Sequence, residues 1–276
     1  MTRSQPRRQA LGQHFLGDPV MVARIVDAVG ATRQDLVCEI GAGPGALTGL
    51  LAARAGRVVA LEIDAALHAR LAARAAEWPT LDLRLADART FPYETLPERR
   101  PSPIGRVLVV GNLPYSASKP ILHRLFEARG AVHTLTLMLQ REVAERLVAA
   151  PDRKAYGALS VLWQVWADLA LLWTVPPTAF RPPPAVESAV IQVTFRTTPR
   201  VPVGDAAAFV RVVKAAFAHR RKTLANALRE ALPRLSREAV DAALEAAGIA
   251  GGRRAESLSL EEFARLAQFL GAHEPA

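Results

Sequence analysis

Short apolar runs alternate with longer stretches rich in alanine and leucine through the first two thirds of the chain. The early runs are apolar at consecutive positions, which is typical of strands covered by helices on both faces. This alternation predicts βαβ units and a mostly parallel sheet in an α/β fold. We expect strands at residues 36–40, 57–63, 81–85, 107–110, 134–139, 169–174 and 189–195.

The pattern changes near residues 196–205, where threonine, proline and glycine are concentrated and predict a linker. Beyond the linker, residues 206–232, 237–247 and 260–270 have the spacing of helices. We therefore expect an α/β domain over residues 1–198 and a small all-α domain over residues 199–276.

Composition limits the class of protein. Half of the 276 residues are hydrophobic, which is enough for a buried core. The longest uncharged stretches, of about 14 residues, are too short to span a bilayer. The first residues contain no apolar leader. The single cysteine, Cys38, cannot form an intramolecular disulfide, and we expect it to be buried. Both features indicate a reducing cytosol. The scattered histidines have no metal-ligand spacing, so we expect no metal.

Charge points to a polyanionic partner. The chain has 35 Lys and Arg against 26 Asp and Glu, a net charge of +9. Six basic residues and no acidic one lie between residues 211 and 229. Such a run is typical either of a solvated helix face or of a surface that contacts phosphates.

A glycine-rich turn follows the first predicted strand, from Gly41 to Ala46, and fits a dinucleotide-binding turn. Glu62, which ends the second strand, is spaced to accept hydrogen bonds from ribose hydroxyls. Pro44, at the expected start of the next helix, removes an N–H that a pyrophosphate would use, and Glu39 would attract an ammonium group.

Asp87 follows the third strand, where it could accept from an adenine amine. A ligand with ribose, adenine and a cationic tail but no phosphate is S-adenosylmethionine. The alternatives are that the acids only cap helices or pair with arginines, or that the chain is an NAD-dependent dehydrogenase.

The fourth strand leads into Asn112-Leu113-Pro114-Tyr115. The Asn112 side-chain oxygen and the carbonyl of Leu113 or Pro114 could hold both hydrogens of a nucleobase amine, and Tyr115 offers a stacking face. We expect methyl transfer to that amine, accelerated mostly by alignment and desolvation. The alternative is a turn in which Asn112 bonds its own backbone and Tyr115 packs in the core.

With these motifs in place, the chain resembles the bacterial small-subunit ribosomal RNA adenine dimethyltransferase family. The resemblance runs from residue 11 to about residue 270. The segments that carry it are residues 13–16, 39–48, 112–115, 138–147, 178–190 and 220–224. It implies a Rossmann-like seven-stranded methyltransferase sheet with helices on both faces, followed by the all-α domain.

The resemblance also implies the activity. Two adjacent adenosines in the 3′-terminal hairpin loop of 16S rRNA would each receive two methyl groups, late in small-subunit biogenesis. S-adenosylmethionine would be the donor and S-adenosylhomocysteine the product. We expect a cytoplasmic monomer that binds 16S rRNA in the small subunit or its precursor and acts without a metal or a membrane.

Site residues carry over position by position. The predicted cofactor contacts are Gln13, His14, Leu16, Glu39, Gly41, Gly43, Glu62, Asp87, Ala88 and Asn112. The predicted catalytic residues are Asn112, Leu113, Pro114, Tyr115 and Phe180, with Phe180 facing the target base opposite Tyr115. The predicted RNA contacts are Arg153, Lys154, Arg220, Arg221 and Lys222. His14 stands where the family usually has asparagine.

Two other functions fit the same motifs. A macrolide-resistance-type 23S rRNA adenine methyltransferase resembles the chain at the catalytic motifs, but residues 220–224 and the Pro-rich loop at 178–184 favour the small-subunit enzyme. A non-catalytic ribosome assembly factor could share the fold, although the intact Asn112–Tyr115 motif argues against it.

Overall fold

A computed structural model describes residues 14–219 and 221–271. Gln13 and Arg220, two predicted site residues, lie outside the described residues. The chain groups into two compact units, Met1–Ala144 with Leu169–Phe195, and Glu145–Asp168 with Arg196–Ala276. We call them the sheet unit and the helical unit.

The division differs from the expected one in the segment Glu145–Asp168, which joins the helical unit instead of the α/β domain. The reason is packing, because Trp166 of this segment contacts Phe209 edge to face, with ring centroids 5.5 Å apart. The other boundary, between Phe195 and Arg196, lies close to the expected residue 198.

All seven predicted strands form, and they belong to one sheet. The strands of the structure are β1 (Phe15–Leu16), β2 (Leu36–Ile40), β3 (Arg57–Glu62), β4 (Leu81–Leu85), β5 (Val107–Asn112), β6 (Thr134–Gln140), β7 (Ala167–Val175), β8 (Phe180–Arg181) and β9 (Ser188–Phe195). The sheet order is β4-β3-β2-β5-β6-β9-β7. Strands β2 to β6 pair in parallel and β9 is antiparallel to β6.

The structure adds a second, two-stranded sheet that the sequence did not predict, in which β1 pairs with β8. Two residues are too few to give a period-2 pattern, so only the tertiary pairing reveals them. This small sheet joins the segment before the first helix to the Pro-rich loop.

The helices of the sheet unit begin with α1 (Pro19–Val29), which is capped by the Asp18 carboxylate. The others are α2 (Thr48–Arg54), α3 (Ala65–Ala72), α4 (Ser118–Glu127) and the start of α5 (Arg141–Val148). The expectation that a helix begins at Pro44 is wrong. Gly45 has φ +88°, which an α-helix does not allow, so α2 starts later, at Thr48.

The helical unit contains α6 (Ala158–Trp166), α7 (Ala206–Ala216), α8 (Leu224–Ala231), α9 (Arg237–Ala246) and α10 (Leu260–Gly271). Residues 206–232, expected as one helix, are two. The Leu224 and Ala225 N–H groups at the start of α8 bond to the carbonyls of Arg253 and Gly251, at 2.7 and 3.2 Å. These tertiary bonds satisfy the N–H groups of a new helix start and so allow the break.

The core of the sheet unit lies between the sheet and its flanking helices. Strand β2 is buried at every position, including Cys38, as expected. Within residues 14–219 and 221–271, no helix is both long and apolar enough to cross a membrane.

Candidate active site

A cavity of about 280 Å³ lies at the carboxyl ends of β2, β3 and β5. The chain runs from β2 outward to β3 and β4 and then returns to β5 on the other side of β2. Ligands of open α/β sheets bind at this kind of topological switch point. The cavity is lined by His14, Phe15, Ile40, Gly41, Gly43, Leu61, Glu62, Ile63, Ala86, Asp87, Ala88, Arg89, Asn112, Leu113, Pro114, Tyr115, Ser116, Ala117 and Ile121.

The glycine turn forms one wall. Gly41 and Gly43 have φ +72° and +56°, values that favour glycine. A Cβ on Gly43 would stand 3.2 Å from the Phe15 ring, so a side chain there would crowd the wall. The turn therefore needs glycine for its backbone angles and, at Gly43, for its space.

Glu62 ends β3 and is 3% exposed. Its Oε2 accepts from the Gly43 N–H and its Oε1 from the Asp64 N–H, both at 2.8 Å. Each carboxylate oxygen can accept two hydrogen bonds, so each retains one acceptor position beside the cavity. A pair of vicinal hydroxyls is the donor set that fits them.

Asp87 follows β4, and its carboxylate is bound by its neighbour Arg89. The Arg89 N–H donates to Oδ1 at 2.8 Å, and Nη2 of the same residue donates to Oδ2 at 2.6 Å. The hydrogen-bonded guanidinium lowers the pKa of Asp87, so the group is a carboxylate at neutral pH. The Tyr93 hydroxyl stabilises this turn by donating to the Ala88 carbonyl at 3.0 Å.

The Asn112 side chain has a defined orientation. Its Nδ2 donates to the carbonyl of His14 at 2.8 Å, and a carbonyl can only accept. The amide oxygen is therefore at the other end of the group. Among residues 14–219 and 221–271, no donor is bonded to that oxygen, so Oδ1 is an available acceptor at the cavity wall.

The backbone after Asn112 distinguishes the two candidate carbonyls. The Pro114 carbonyl accepts from the Ala117 N–H at 2.9 Å, at the start of α4. No donor from the described part of the chain reaches the Leu113 carbonyl. Of the two candidate carbonyls, that of Leu113 is therefore the one available to accept a hydrogen bond together with Asn112 Oδ1.

Tyr115 is half-buried and lines the cavity, and burial raises its pKa. Its hydroxyl is hydrogen-bonded to Ser188 Oγ at 2.7 Å. The His14 ring lies next to it, with ring centroids 5.7 Å apart and planes inclined by 35°. His14 Nδ1 is 2.9 Å from the Pro182 carbonyl, so this nitrogen carries the proton and donates.

Three predicted site residues do not line the cavity. Glu39 is 1% exposed and accepts from Thr48 Oγ1 at 2.7 Å, and burial raises its pKa to about 8. Leu16 and Phe180 face each other across the β1 and β8 pairing and are buried in the core. Glu39, expected to face a cationic ligand, and Phe180, expected to face the target base, are thus both buried away from the cavity.

The remaining predicted residues of this site come together. His14, Gly41, Gly43, Glu62, Asp87, Ala88 and Asn112 to Tyr115 all line the one cavity. Arg89, Ile63 and Ser188 are additions that the sequence analysis missed. Ile63, directly after Glu62, was expected to be the last residue of the strand at 57–63, but the strand ends at Glu62 and Ile63 is 45% exposed, which makes it available to a ligand. Ser188 had no signal in the sequence.

The predicted RNA contacts lie in the helical unit. Arg153, Lys154, Arg221 and Lys222 are exposed. Lys154 and Lys222 line a second cavity, of about 300 Å³, together with His219 and Arg254. Lys222 forms an ion pair with Glu230, which also lies 3.1 Å from His219 Nε2.

The donor and acceptor set fits S-adenosylmethionine. Glu62 keeps two acceptor positions for ribose, Asp87 is an ionised acceptor for an adenine amine, and Ile63 gives an apolar surface for the ring. Two acids and one arginine line the cavity, a balance that disfavours the pyrophosphate of NAD. The described residues contain no cluster of three or more His, Cys, Asp or Glu that could hold a metal.

Fold and site together define an α/β enzyme of the methyltransferase class. The family model for ribosomal RNA adenine dimethylase matches residues 5–271. The chain therefore belongs to the ribosomal RNA adenine dimethylase family.

Relatives and solved structures agree with this assignment. The chain is 45% identical to Ribosomal RNA small subunit methyltransferase A of Magnetococcus marinus, over 93% of this chain and 89% of the relative. The protein of the same name from Bacillus licheniformis is 42% identical, over 95% and 91%. The 23S rRNA methyltransferase ErmE is 27% identical with a TM-score of 0.68, over 93% and 99%. A Plasmodium falciparum dimethyladenosine transferase shares the fold, with 23% identity and a TM-score of 0.77 over 92% and 96%.

Proposed function

We propose that the protein uses S-adenosylmethionine to dimethylate two adjacent adenosines in the 3′-terminal hairpin loop of 16S rRNA, late in small-subunit assembly, as a cytoplasmic monomer. The observation that carries the proposal is the Asn112 carboxamide, which His14 holds with its oxygen available at the cavity wall. The relatives named for the small subunit support the choice of substrate.

The cofactor-binding wall follows from the acceptors beside the switch point. Glu62 would accept from both ribose hydroxyls, Asp87 would accept from the adenine amine, and the Ala88 N–H would face the ring. Gly41 and Gly43 allow the ligand to approach the backbone. When bound, S-adenosylmethionine supplies an electrophilic methyl group.

The other predicted cofactor residues have different parts. His14 borders the cavity and, with Gln13, would contact the amino-acid tail of the cofactor. Leu16 and Glu39 are buried, so we assign them to supporting the wall from behind.

The target amine would lie between Asn112 Oδ1 and the Leu113 carbonyl. Each acceptor takes one amine hydrogen, which holds the nitrogen lone pair toward the methyl group and withdraws it from the ring. The amine nitrogen would then bond to the methyl carbon as the bond from that carbon to the sulfonium sulfur breaks, with its electron pair going to sulfur to leave S-adenosylhomocysteine. The amine would lose its proton after the attack. Pro114 stiffens the turn that holds the two acceptors together.

Tyr115 would stack on the extruded adenine and replace part of the stacking that the base loses on leaving its loop. Phe180, buried opposite Leu16, would support the β1 and β8 pairing that holds His14 and the Pro-rich loop. Phe180 would then support the site without contacting the target base.

The helical unit would contact RNA phosphates. Its candidates are Arg153, Lys154, Arg220, Arg221 and Lys222. Phosphate contacts position the RNA but carry no sequence information, so selection of the target adenosines would depend on loop shape and on the cavity.

One experiment tests the function directly. Protein and labelled S-adenosylmethionine are incubated with unmethylated small subunits and, separately, with unmethylated large subunits. We expect label in two adjacent adenosines of 16S rRNA. The similarity to ErmE makes the 23S activity the second candidate, and label only in large-subunit RNA would establish it instead.

A further inference from the structure

The Tyr115 hydroxyl has a partner that the proposed mechanism does not use. It forms a 2.7 Å hydrogen bond with Ser188 Oγ, and Ser188 is fully buried. No other described residue is hydrogen-bonded to this Ser188 oxygen. A buried hydroxyl with a single side-chain partner, at the edge of an active-site wall, requires an explanation.

The sheet register explains how a residue so distant in sequence reaches the site. Asn112 pairs with Met138 across β5 and β6, and Met138 pairs with Val190 across β6 and β9. Because β9 is antiparallel to β6, its first residue, Ser188, lies at the carboxyl edge where β5 ends. Ser188 is thus the first residue of a sheet strand and not part of the preceding loop.

The backbone around Ser188 is fixed on both sides. Ser188 pairs with Gln140 in the ladder, and the pairing continues beyond it, because the Arg141 N–H donates to the Glu187 carbonyl at 3.0 Å. An oxygen mounted on this ladder has a defined position relative to Asn112.

Tyr115 is held at three points. Ser118 Oγ donates to its carbonyl at 3.1 Å, which fixes the backbone. The His14 ring borders its ring, and Ser188 holds its hydroxyl. Of these, only the Ser188 bond acts at the far end of the side chain, where it resists a swing of the ring about the Cα–Cβ bond. The hydroxyl oxygen lies on the Cβ–Cγ axis, so rotation about that bond is restricted by the neighbouring His14 ring instead.

We propose that Ser188 is a positioning residue that fixes the direction of the Tyr115 side chain, and hence where its ring lies, and through it the alignment of the target adenine. The inference rests on the proposed function. A phenylalanine would present the same stacking area, so the hydroxyl contributes orientation and not surface. Methyl transfer by alignment is sensitive to such small misplacements.

The test uses Ser188→Ala, Tyr115→Phe and the double variant, each as full-length protein. We measure the single-turnover rate of methyl transfer on small subunits and the affinity for S-adenosylhomocysteine. Either single variant should lower the rate roughly tenfold and leave that affinity unchanged. Because both remove the same hydrogen bond, the double variant should be no slower than the slower single variant.

A second readout does not depend on activity. In a hairpin RNA with 2-aminopurine at the target position, stacking on Tyr115 should quench the fluorescence, and both single variants should quench it less. Thr80→Ala is the control, because Thr80 Oγ1 donates to a main-chain carbonyl, that of Ala52, at 3.2 Å and Thr80 lines neither of the two cavities described above. It should retain the wild-type rate and quenching.

The outcomes separate this inference from the function on which it rests. A wild-type rate in Ser188→Ala, or a double variant slowed by the product of the two single effects, overturns the positioning role alone. If Ser188→Ala does not fold, Tyr115→Phe removes the same bond from the other side and decides the question. Wild-type protein that neither binds S-adenosylhomocysteine nor methylates small subunits overturns the proposed function, and this inference with it.

Discussion

The two ends of the central sheet differ in how many acceptor positions they leave open, although Asp87 at the carboxyl end is paired with Arg89 much as Asp35 at the amino end is paired with Arg106. At the carboxyl edge, Glu62, Asn112 Oδ1 and the Leu113 carbonyl each keep an acceptor position beside the cavity. At the amino edge, Asp35 is buried and accepts from the Thr32 N–H and from the Arg106 guanidinium, at 2.9 and 2.8 Å.

The pKa of Asp35 reflects the hydrogen bonds that its carboxylate accepts. Burial alone would raise it, but hydrogen bonds from Arg106 and Thr32 outweigh burial and hold the pKa well below its usual range. Acceptors left open inside a fold cost stability unless a ligand uses them. The difference indicates that substitutions at the carboxyl edge should reduce activity, whereas those at the amino edge should reduce stability.

The largest effect is expected for Asn112→Ala. Loss of an oriented acceptor at the reacting amine should lower the rate of methyl transfer by about 10²–10³-fold, with RNA affinity nearly unchanged. Single-turnover rates and filter binding on small subunits measure both. Gln192→Ala is the matched control, because Gln192 Nε2 donates to the Ala28 carbonyl in the same way but outside the cavity. An active Asn112→Ala would contradict the catalytic assignment.

Arg106→Ala should act on stability instead. The substitution leaves the buried Asp35 carboxylate with fewer hydrogen-bond partners. We expect the free energy of unfolding to fall by about 2 kcal/mol. This is less than for a fully buried pair, because the Arg106 side chain is 44% exposed. Urea unfolding measures the loss. Arg84→Ala removes the pair between the exposed Arg84 and Asp82, which keeps Arg57 as a partner, and should cost less than about 0.5 kcal/mol. Equal losses in the two variants would abolish the contrast between the edges.

Glu39 gives a smaller, pH-dependent effect. Its pKa in the fold is about 8, against 4.5 for an ordinary glutamate, so between these values the folded state holds a proton that the unfolded chain has released. Stability from this group is therefore greatest below pH 4.5 and falls as pH rises toward 8, by at least about 1 kcal/mol. Glu39→Gln should lack this decline. The difference in unfolding free energy between wild type and Glu39→Gln, measured from pH 5 to 8, separates the contribution of Glu39 from those of other titrating groups. A difference that stays constant over this range would refute the prediction.

The smallest effect concerns the helical unit. Replacing Arg221 and Lys222 together by glutamine should lower the slope of log affinity against log salt for small-subunit RNA by roughly 1 to 2 units. Replacing exposed Arg234 and Arg237 makes the same change in net charge and is the control. Equal changes in slope would mean that overall charge, and not this segment, attracts the RNA.

The sequence predicted the strands well because each buried parallel strand is a run of apolar residues that local pattern detects. It could not predict that Glu62 borders the cavity and Glu39 does not, since both acids are buried and lie at or near a strand end. The point at which each strand ends distinguishes the two acids, because Glu39 is followed in β2 by Ile40, whereas Glu62 is the last residue of β3.

Tertiary contacts account for the other differences. Phe180 is drawn into the core by its pairing with Leu16, and the break between α7 and α8 depends on carbonyls of residues 251 and 253. The hydrogen bond between Tyr115 and Ser188 joins residues 73 positions apart, a separation that no local pattern encodes.

The central claim is that the acids of the carboxyl edge bind an adenosine cofactor. Calorimetric titration with S-adenosylhomocysteine tests it most directly, on wild type, Asp87→Ala and the control Asp82→Ala, whose carboxylate does not line the cavity. We expect one site in wild type and in Asp82→Ala, and an affinity about tenfold weaker in Asp87→Ala, because one hydrogen bond to a charged group is lost. No binding by wild type, or equal weakening in the two variants, would contradict it.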